Sequence, residues 1–272
     1  MSVSLSDDGN TVAIGAPRNN GNGTKAGHVC VYKYDSGVGE WSQVGQDIDG
    51  EDTSNYSGWS VSLSNDGNKV AIGAKWNDGN GDRSGHVRVY KYDDDHSSFG
   101  GKWIQVGQDI DGEHVCDQSC YSVSLSGDGN IVAIGSSSND DNGDNAGHVR
   151  LFKYDNAAGK WSQVGQDVDG ENAGDSSGHS VSLSDDGNTV AIGAKGNDDN
   201  GYYAGQVRVY KYDSASGKWQ QIGQDMDGEN AYDFSGINVS LSGDGNTVAI
   251  GAVGNEGNGT DAGHVRIYYY AH

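Results

Sequence analysis

The sequence predicts an all-β fold, a five-bladed β-propeller with one blade per internal repeat, and three observations carry it. The segment VSLS begins at Val3, Val61, Val123, Val181 and Val239, with spacings of 58, 62, 58 and 58 residues. A fixed period of this order marks solenoids and propellers. Each copy continues through DGN, VAIG, an Asn/Asp/Gly loop and a strand close to GHVRVYKY, while no stretch shows helical periodicity with caps. A solenoid would have shorter repeats and parallel strands, so the reading is one domain over 1–272, with blades at about 1–55, 56–117, 118–175, 176–233 and 234–272.

Each repeat of about 58 residues offers four strands, A to D. In strand A, Val3 and Leu5 alternate with Ser4 and Ser6, the period of two that buries one face. Strand B, TVAIGA, follows across Asp8-Gly9-Asn10, and Asp-Gly is a strong hairpin signal. Strand C sets Val29 and Val31 against His28, Cys30 and Tyr32. Strand D starts at Trp41, Trp103, Trp161 or Trp219 and ends in an acidic DIDGE-type run. The fifth repeat stops at Tyr268-Tyr269-Tyr270-Ala271-His272, so the last blade lacks its outer strand.

Composition pulls the other way at first sight, since few large aliphatics and a net charge of −22 suggest disorder. The apolar residues nevertheless fall in short regular runs. With 45 glycines and the single Pro17, the chain reads as Val-rich strands joined by Gly turns. A pI near 4.4 argues against a nucleic-acid surface. No window reaches the roughly 18 apolar residues of a membrane span, and Met1 leads straight into strand A without a signal-like run; the expectation is a soluble chain with no membrane insertion. Three cysteines make no disulfide scaffold, but Cys116 and Cys120 share a loop, where a local bridge or a metal pair would fit.

The run Tyr56-Ser57-Gly58-Trp59-Ser60-Val61-Ser62-Leu63, then Val70-Ala71-Ile72-Gly73-Ala74 and Gly85-His86-Val87-Arg88-Val89-Tyr90, resembles the FG-GAP repeat of integrin α-subunit propellers and their microbial relatives. Gly15-Ala16-Pro17 even preserves the GAP signature. Three departures stand out: FG has become Ser-Gly at Gly58, Gly178 and Gly236, the blade count is five where the integrin propellers have seven, and the family's DxDxDG calcium loop between strands A and B is absent. Asp7, Asp8 and Asn10 alone are too few for the roughly six to eight oxygens calcium takes, so that site is not carried over.

If calcium binds, the strand D ends are the candidates: Asp47, Asp49 and Glu51; Asp109, Asp111 and Glu113; Asp167, Asp169 and Glu171; Asp225, Asp227 and Glu229. A metal would explain how the carboxylates tolerate one another; a solvated edge that blocks strand pairing explains it as well. The B-to-C loops, such as Asn77-Asp78-Gly79-Asn80-Gly81, suit a cation or a sugar through their oxygens and suit tight turns through their conformations. Trp59 and Trp76 break the repeat and join Asn77, Asp78 and Asn80 as ligand-binding candidates. His28, His86, His148 and His264 share one position that Gln206 also fills, which indicates a hydrogen-bonding role. His96, His114 and His179 share no motif. With nearly every polar residue repeated around the chain, no unique catalytic convergence is evident, and the expectation is that the protein is not an enzyme.

The functional expectation is an extracellular or cell-surface binding or adhesion module for a protein or glycan, with a fibre subunit and a multivalent lectin as alternatives. Sequons at Asn22, Asn55 and Asn258 mark candidate glycosylation sites. The unpaired strand of the last repeat, through His264, Arg266, Tyr268 and Tyr270, is the expected edge for self-association or partner docking.

Overall fold

The computed structural model describes residues 1–94, 101–260 and 262–270; the length change around Asp95 to Gly100, with His96, lies outside them. The chain comprises two compact units, residues 1–131 with 153–162 and residues 132–152 with 163–272, and the division falls within the third repeat.

Each repeat makes one antiparallel sheet. The first runs β1 (Ser2–Leu5), β2 (Thr11–Ala16), β3 (His28–Asp35), β4 (Glu40–Gln43), with β5 (Ile48–Asp49) also on β3. The second has β6 (Ser57–Leu63), β7 (Lys69–Ala74) and β8 (His86–Asp93), with β9 (Lys102–Gln105) and β10 (Ile110–Asp111) both on β8. The third repeats this with β11 (Ser122–Leu125), β12 (Ile131–Ser136), β13 (His148–Asp155), β14 (Lys160–Gln163) and β15 (Val168–Asp169). The fourth is β16 (Ser177–Leu183), β17 (Thr189–Ala194), β18 (Gln206–Asp213) and β19 (Lys218–Asp227), and the fifth is β20 (Asn238–Leu241), β21 (Thr247–Ala252) and β22 (His264–Tyr269). With five such sheets and no helix among the described residues, the fold is a five-bladed β-propeller, the last blade three-stranded.

Strand D departs from a single run. Gly45 and Gly107, at φ +70° and +74°, interrupt the ladder and leave the two-residue strands β5 and β10 beside the start of strand C. In the fourth sheet β19 absorbs the bend as an irregularity opposite Val207 and Val209, as a bulge does. A Cβ on Gly107 would lie 2.8 Å from Trp161 Cδ1, so that glycine also makes room for the next repeat's tryptophan.

The A-to-B turns show why the calcium loop is dispensable. Ser64 Oγ donates to Asp66 Oδ1 at 2.6 Å, the Asn68 N–H donates to the same oxygen at 2.9 Å, and the Lys69 N–H donates to Ser64 Oγ at 2.9 Å. The same ring of bonds recurs around Asp8, Asp128, Asp186 and Asp244. Each carboxylate is satisfied by protein donors where the family's loop would offer it to an ion.

Alternation along the strands builds the core between successive sheets. Val29 and Val31 of β3 pack with Val61, Leu63, Val70 and Ile72 of the second sheet; in the other unit Val207, Val209 and Met226 pack with Leu241, Val248 and Ile250. Each such side chain contributes about 1.5–3 kcal/mol on burial. Trp103 locks the seam by donating Nε1–H to the Val44 carbonyl at 2.8 Å while Gln46 brackets its backbone, both bonds at 3.0 Å.

Candidate functional site

The bend in strand D decides where the acidic run goes. In the second sheet it pairs Asp111 with His86 and Ile110 with Val87, so the carboxylates lie along the head of strand C. His86 Nδ1 is 3.7 Å from Asp109 Oδ2 and 3.9 Å from Glu51 Oε2, which comes from the preceding sheet. Arg88 ties Glu51 in place, with Nη1 3.2 Å from Glu51 Oε1 and Nη2 donating to the Asp49 carbonyl at 3.1 Å. Gln105 Nε2 donates to Asp109 Oδ1 at 2.6 Å and fixes the second carboxylate. One donor atom from each of Glu51, His86 and Asp109 falls within 4.8 Å of the others.

His86 is buried. Desolvation, reinforced by the Arg88 guanidinium and opposed by Asp109, pulls its pKa down to about 4. At neutral pH the ring is therefore neutral, the form that offers a lone pair to a metal. The set is one nitrogen with two carboxylates, which fits a divalent transition ion or zinc better than an all-oxygen calcium cage.

The other repeats carry variants of this arrangement. In the first sheet His28, Cys30 and Asp47 converge, with the Cys30 thiol donating to Asp47 Oδ1 at 3.3 Å and pushed up to about 11 by desolvation and by that bond. His148 lies with Asp167 and Asp169. In the fourth sheet Gln206 Nε2 donates to Glu171 Oε2 at 3.2 Å, and in the fifth His264 Nδ1 is 3.9 Å from Glu229 Oε2.

The strand D carboxylates named from the sequence thus divide among separate tasks. Asp47, Asp109, Asp167 and Asp225 each accept from the glutamine four residues earlier. Asp49, Asp111, Asp169 and Asp227 sit across the ladder from the His or Gln that opens strand C, and burial raises the pKa of Asp169 and Asp227. Glu51, Glu171 and Glu229 receive the next sheet's Arg88, Arg208 and Arg266; Glu113 holds the same place in its repeat. Asp167 and Asp169 come within 4.8 Å of each other beside His148, and Glu51 meets Asp109 of the next repeat beside His86. Histidine is the missing member, and its signal was positional: strand C opens where the acidic run must end.

The B-to-C loop residues are engaged in building the loop. Asn77 Oδ1 accepts from the Gly79 N–H, Asp78 Oδ1 from the Arg83 N–H, and Asn80 Nδ2 donates to the Gly112 carbonyl. Trp59 is covered by Lys75, whose ammonium lies 3.2 Å from the ring centroid, and Trp76 packs edge-on against Tyr56 at 4.6 Å. Trp59 also lines an open pocket with Met1, Pro17 and Arg18.

Two further expectations need correction. Cys116 and Cys120 are free thiols, one exposed and one buried, so the local bridge is not formed. Asn55 is buried and has no room for a glycan, whereas Asn22 and Asn258 are exposed. The strand through His264, Arg266, Tyr268 and Tyr270 is the edge strand of its sheet; Arg266 Nη2 donates to the Asp227 carbonyl, and Tyr268 and Tyr270 pack on the core with the fourth sheet, while Val265, Ile267 and Tyr269 are exposed.

These features define a β-propeller whose blades are stapled by Arg–carboxylate pairs and carry His–carboxylate groups at the head of strand C. The FG-GAP repeat family model matches residues 47–90, which makes that stretch an FG-GAP repeat. Comparison with curated proteins finds no match. Among solved structures the chain is similar to the periplasmic gluconolactonase PpgL of Pseudomonas aeruginosa, at TM-score 0.59 and 19% identity over 92% of this chain and 64% of that one. It is also similar to candidate 6-phosphogluconolactonases of Bacteroides fragilis (TM-score 0.52, 15% identity, 83% of this chain and 54% of that one) and Bacteroides uniformis (0.52, 11%, 98% and 80%). The chain thus spans less than two thirds of the length of the first two.

The expected non-catalytic adhesion module, with its fibre and lectin alternatives, is corrected here, as is the expectation that the protein is no enzyme: three of the solved structures similar to this chain bear the names of lactonases. The repetition argument failed because the repeats are not equivalent. Cys30, Gln206 and the three-stranded fifth blade each change the His–carboxylate set. No helix among the described residues is long and apolar enough to cross a membrane.

Proposed function

We propose that this chain is a propeller hydrolase that opens the cyclic ester of a sugar lactone, working outside the cytosol with a divalent cation held by Glu51, His86 and Asp109. The observation that carries the reading is the convergence of one neutral imidazole and two carboxylates within 4.8 Å. The lactonase names of the propellers that share the fold, one of them periplasmic, support substrate class and location. A cation so bound would polarise the ester carbonyl and acidify a water. The chain's own contribution is to keep His86 unprotonated by burial, to hold Asp109 through Gln105, and to brace Glu51 with Arg88 so that its carboxylate, half open to solvent, faces incoming substrate.

The test follows acid release from glucono-1,5-lactone with chelator or with zinc, manganese, magnesium or calcium. Metal-dependent hydrolysis above the spontaneous rate is expected, reduced about tenfold to a hundredfold by His86→Ala or Asp109→Asn, as removal of a ligand or its support does. If none of the metals accelerates ring opening, the proposal is wrong.

A further inference from the structure

Strand β3 turns one face to the core through Val29 and Val31, and the period of two puts His28 and Cys30 together on the other. The bend at Gly45 brings Asp47 back alongside them, just before β5 pairs Asp49 with His28. Three contacts close the group: Cys30 Sγ lies 3.3 Å from Asp47 Oδ1 and 3.7 Å from His28 Nε2, and His28 Nδ1 lies 3.6 Å from Asp47 Oδ2. One donor atom from each residue falls within 4.8 Å of the other two. Zinc bound at about 2.3 Å to sulfur and about 2.0–2.2 Å to nitrogen and oxygen spaces its tetrahedral ligands about 3.4–3.6 Å apart. The separations found here are of that size.

This donor set belongs to the first repeat alone. The position of Cys30 is Arg88, Arg150, Arg208 and Arg266 in the other four, so a soft donor stands where they carry a fixed cation. A thiolate, an imidazole and a carboxylate select a borderline-soft ion over calcium, magnesium or manganese, which favour oxygen. The ligands are also supported. Gln43 Nε2 donates to Asp47 Oδ1 at 2.6 Å and orients that carboxylate, as partners behind a metal ligand do. Asp49, across the ladder from His28, adds a second negative charge that acts on Cys30.

We propose that His28, Cys30 and Asp47 form a zinc site separate from the Glu51, His86 and Asp109 group, with three protein ligands and a fourth position open to water. On binding, the Cys30 S–H bond breaks, the proton passes to solvent and a sulfur lone pair makes the bond to the ion; nothing is oxidised or reduced. Ion binding here does not depend on lactone hydrolysis. Cobalt(II) is the probe, since it substitutes for zinc in tetrahedral sites and gives a near-ultraviolet sulfur-to-metal charge-transfer band only when a thiolate is bound. Titrated anaerobically into the pre-reduced full chain, cobalt should develop that band to saturation at about one equivalent, and added zinc should bleach it. Cys30→Ser should abolish the band, while Cys116→Ser and His86→Ala retain it in full. His28→Ala should weaken cobalt binding by at least about tenfold. Circular dichroism matching the parent confirms the fold of each variant. The proposal is overturned by a parent without the band, a band that survives Cys30→Ser or disappears with His86→Ala or Cys116→Ser, or a His28→Ala variant that binds cobalt as tightly as the parent.

Discussion

His86 is held as a neutral ring by its surroundings, and that has a pH consequence. Its pKa of about 4 in the fold lies below the ordinary 6.5, so the unfolded chain binds the proton more tightly. Stability from this group is full above pH about 6.5 and is lost as pH falls toward 4. His179, also lowered to about 4 by desolvation and by Lys195, acts in the same direction. The fourth repeat supplies a non-titrating replacement, since Gln206 donates to Glu171 where His86 faces Glu51. Urea denaturation from pH 7 to pH 4 should therefore show a shallower loss of stability in His86→Gln than in the parent. Equal slopes in the two proteins would mean that His86 is not the buried neutral base described above.

At the scale of the element, the A-to-B turn is the unit that replaces a metal loop. Asp186 accepts from Ser184 Oγ at 2.6 Å and from the Asn188 N–H at 2.9 Å. A hydrogen bond to a charged group is worth about 1.5–3 kcal/mol, so Asp186→Ala should lower stability by about that much in thermal melts, and added calcium should not restore it. Rescue by calcium would show that the turn retains the family's ion site. The inter-sheet clasp is a second such unit. Arg208 Nη1 lies 3.5 Å from Glu171 Oε1 and Nη2 donates to the Asp169 carbonyl at 2.7 Å. Removing one partner of a buried pair leaves the other unpaired, so in thermal melts Glu171→Ala, which strands the buried Arg208, is expected to destabilise more than Arg208→Met, which leaves the partly exposed Glu171 to water. Strands A to C were legible in the sequence because alternation and Asp-Gly turns are local signals. Strand D was legible only in outline, since its break at Gly45 and Gly107 depends on the neighbouring tryptophan. Which face of β22 the neighbouring sheet covers was not legible: in a strand the side-chain period is two, and only tertiary packing tells which set is covered.

For the whole molecule, the net charge of −22 over 272 residues sets two distinct responses to salt. Self-repulsion of the compact state is a long-range effect, and monovalent salt relieves it as the Debye length shortens from about 30 Å at 0.01 M to about 8 Å at 0.15 M. The candidate metal site was hard to see in the sequence for a related reason: acidic residues are everywhere, and what singles out Glu51 and Asp109 is a buried imidazole brought between them by a bend in one strand and by the next sheet's register. A divalent ion therefore acts twice, once through screening and once through binding at His86, and ionic strength separates the two. In potassium chloride the melting temperature of the parent and of His86→Ala should rise in parallel. At matched ionic strength, millimolar manganese should raise the parent further, by RT ln(1 + [L]/Kd) or about 2.7 kcal/mol at a hundredfold excess over Kd, and should leave His86→Ala on the potassium chloride curve. Differential scanning calorimetry of the two proteins in the two salts measures this directly; identical divalent increments in parent and variant would assign the effect to the diffuse negative surface and remove the Glu51, His86 and Asp109 group as a site.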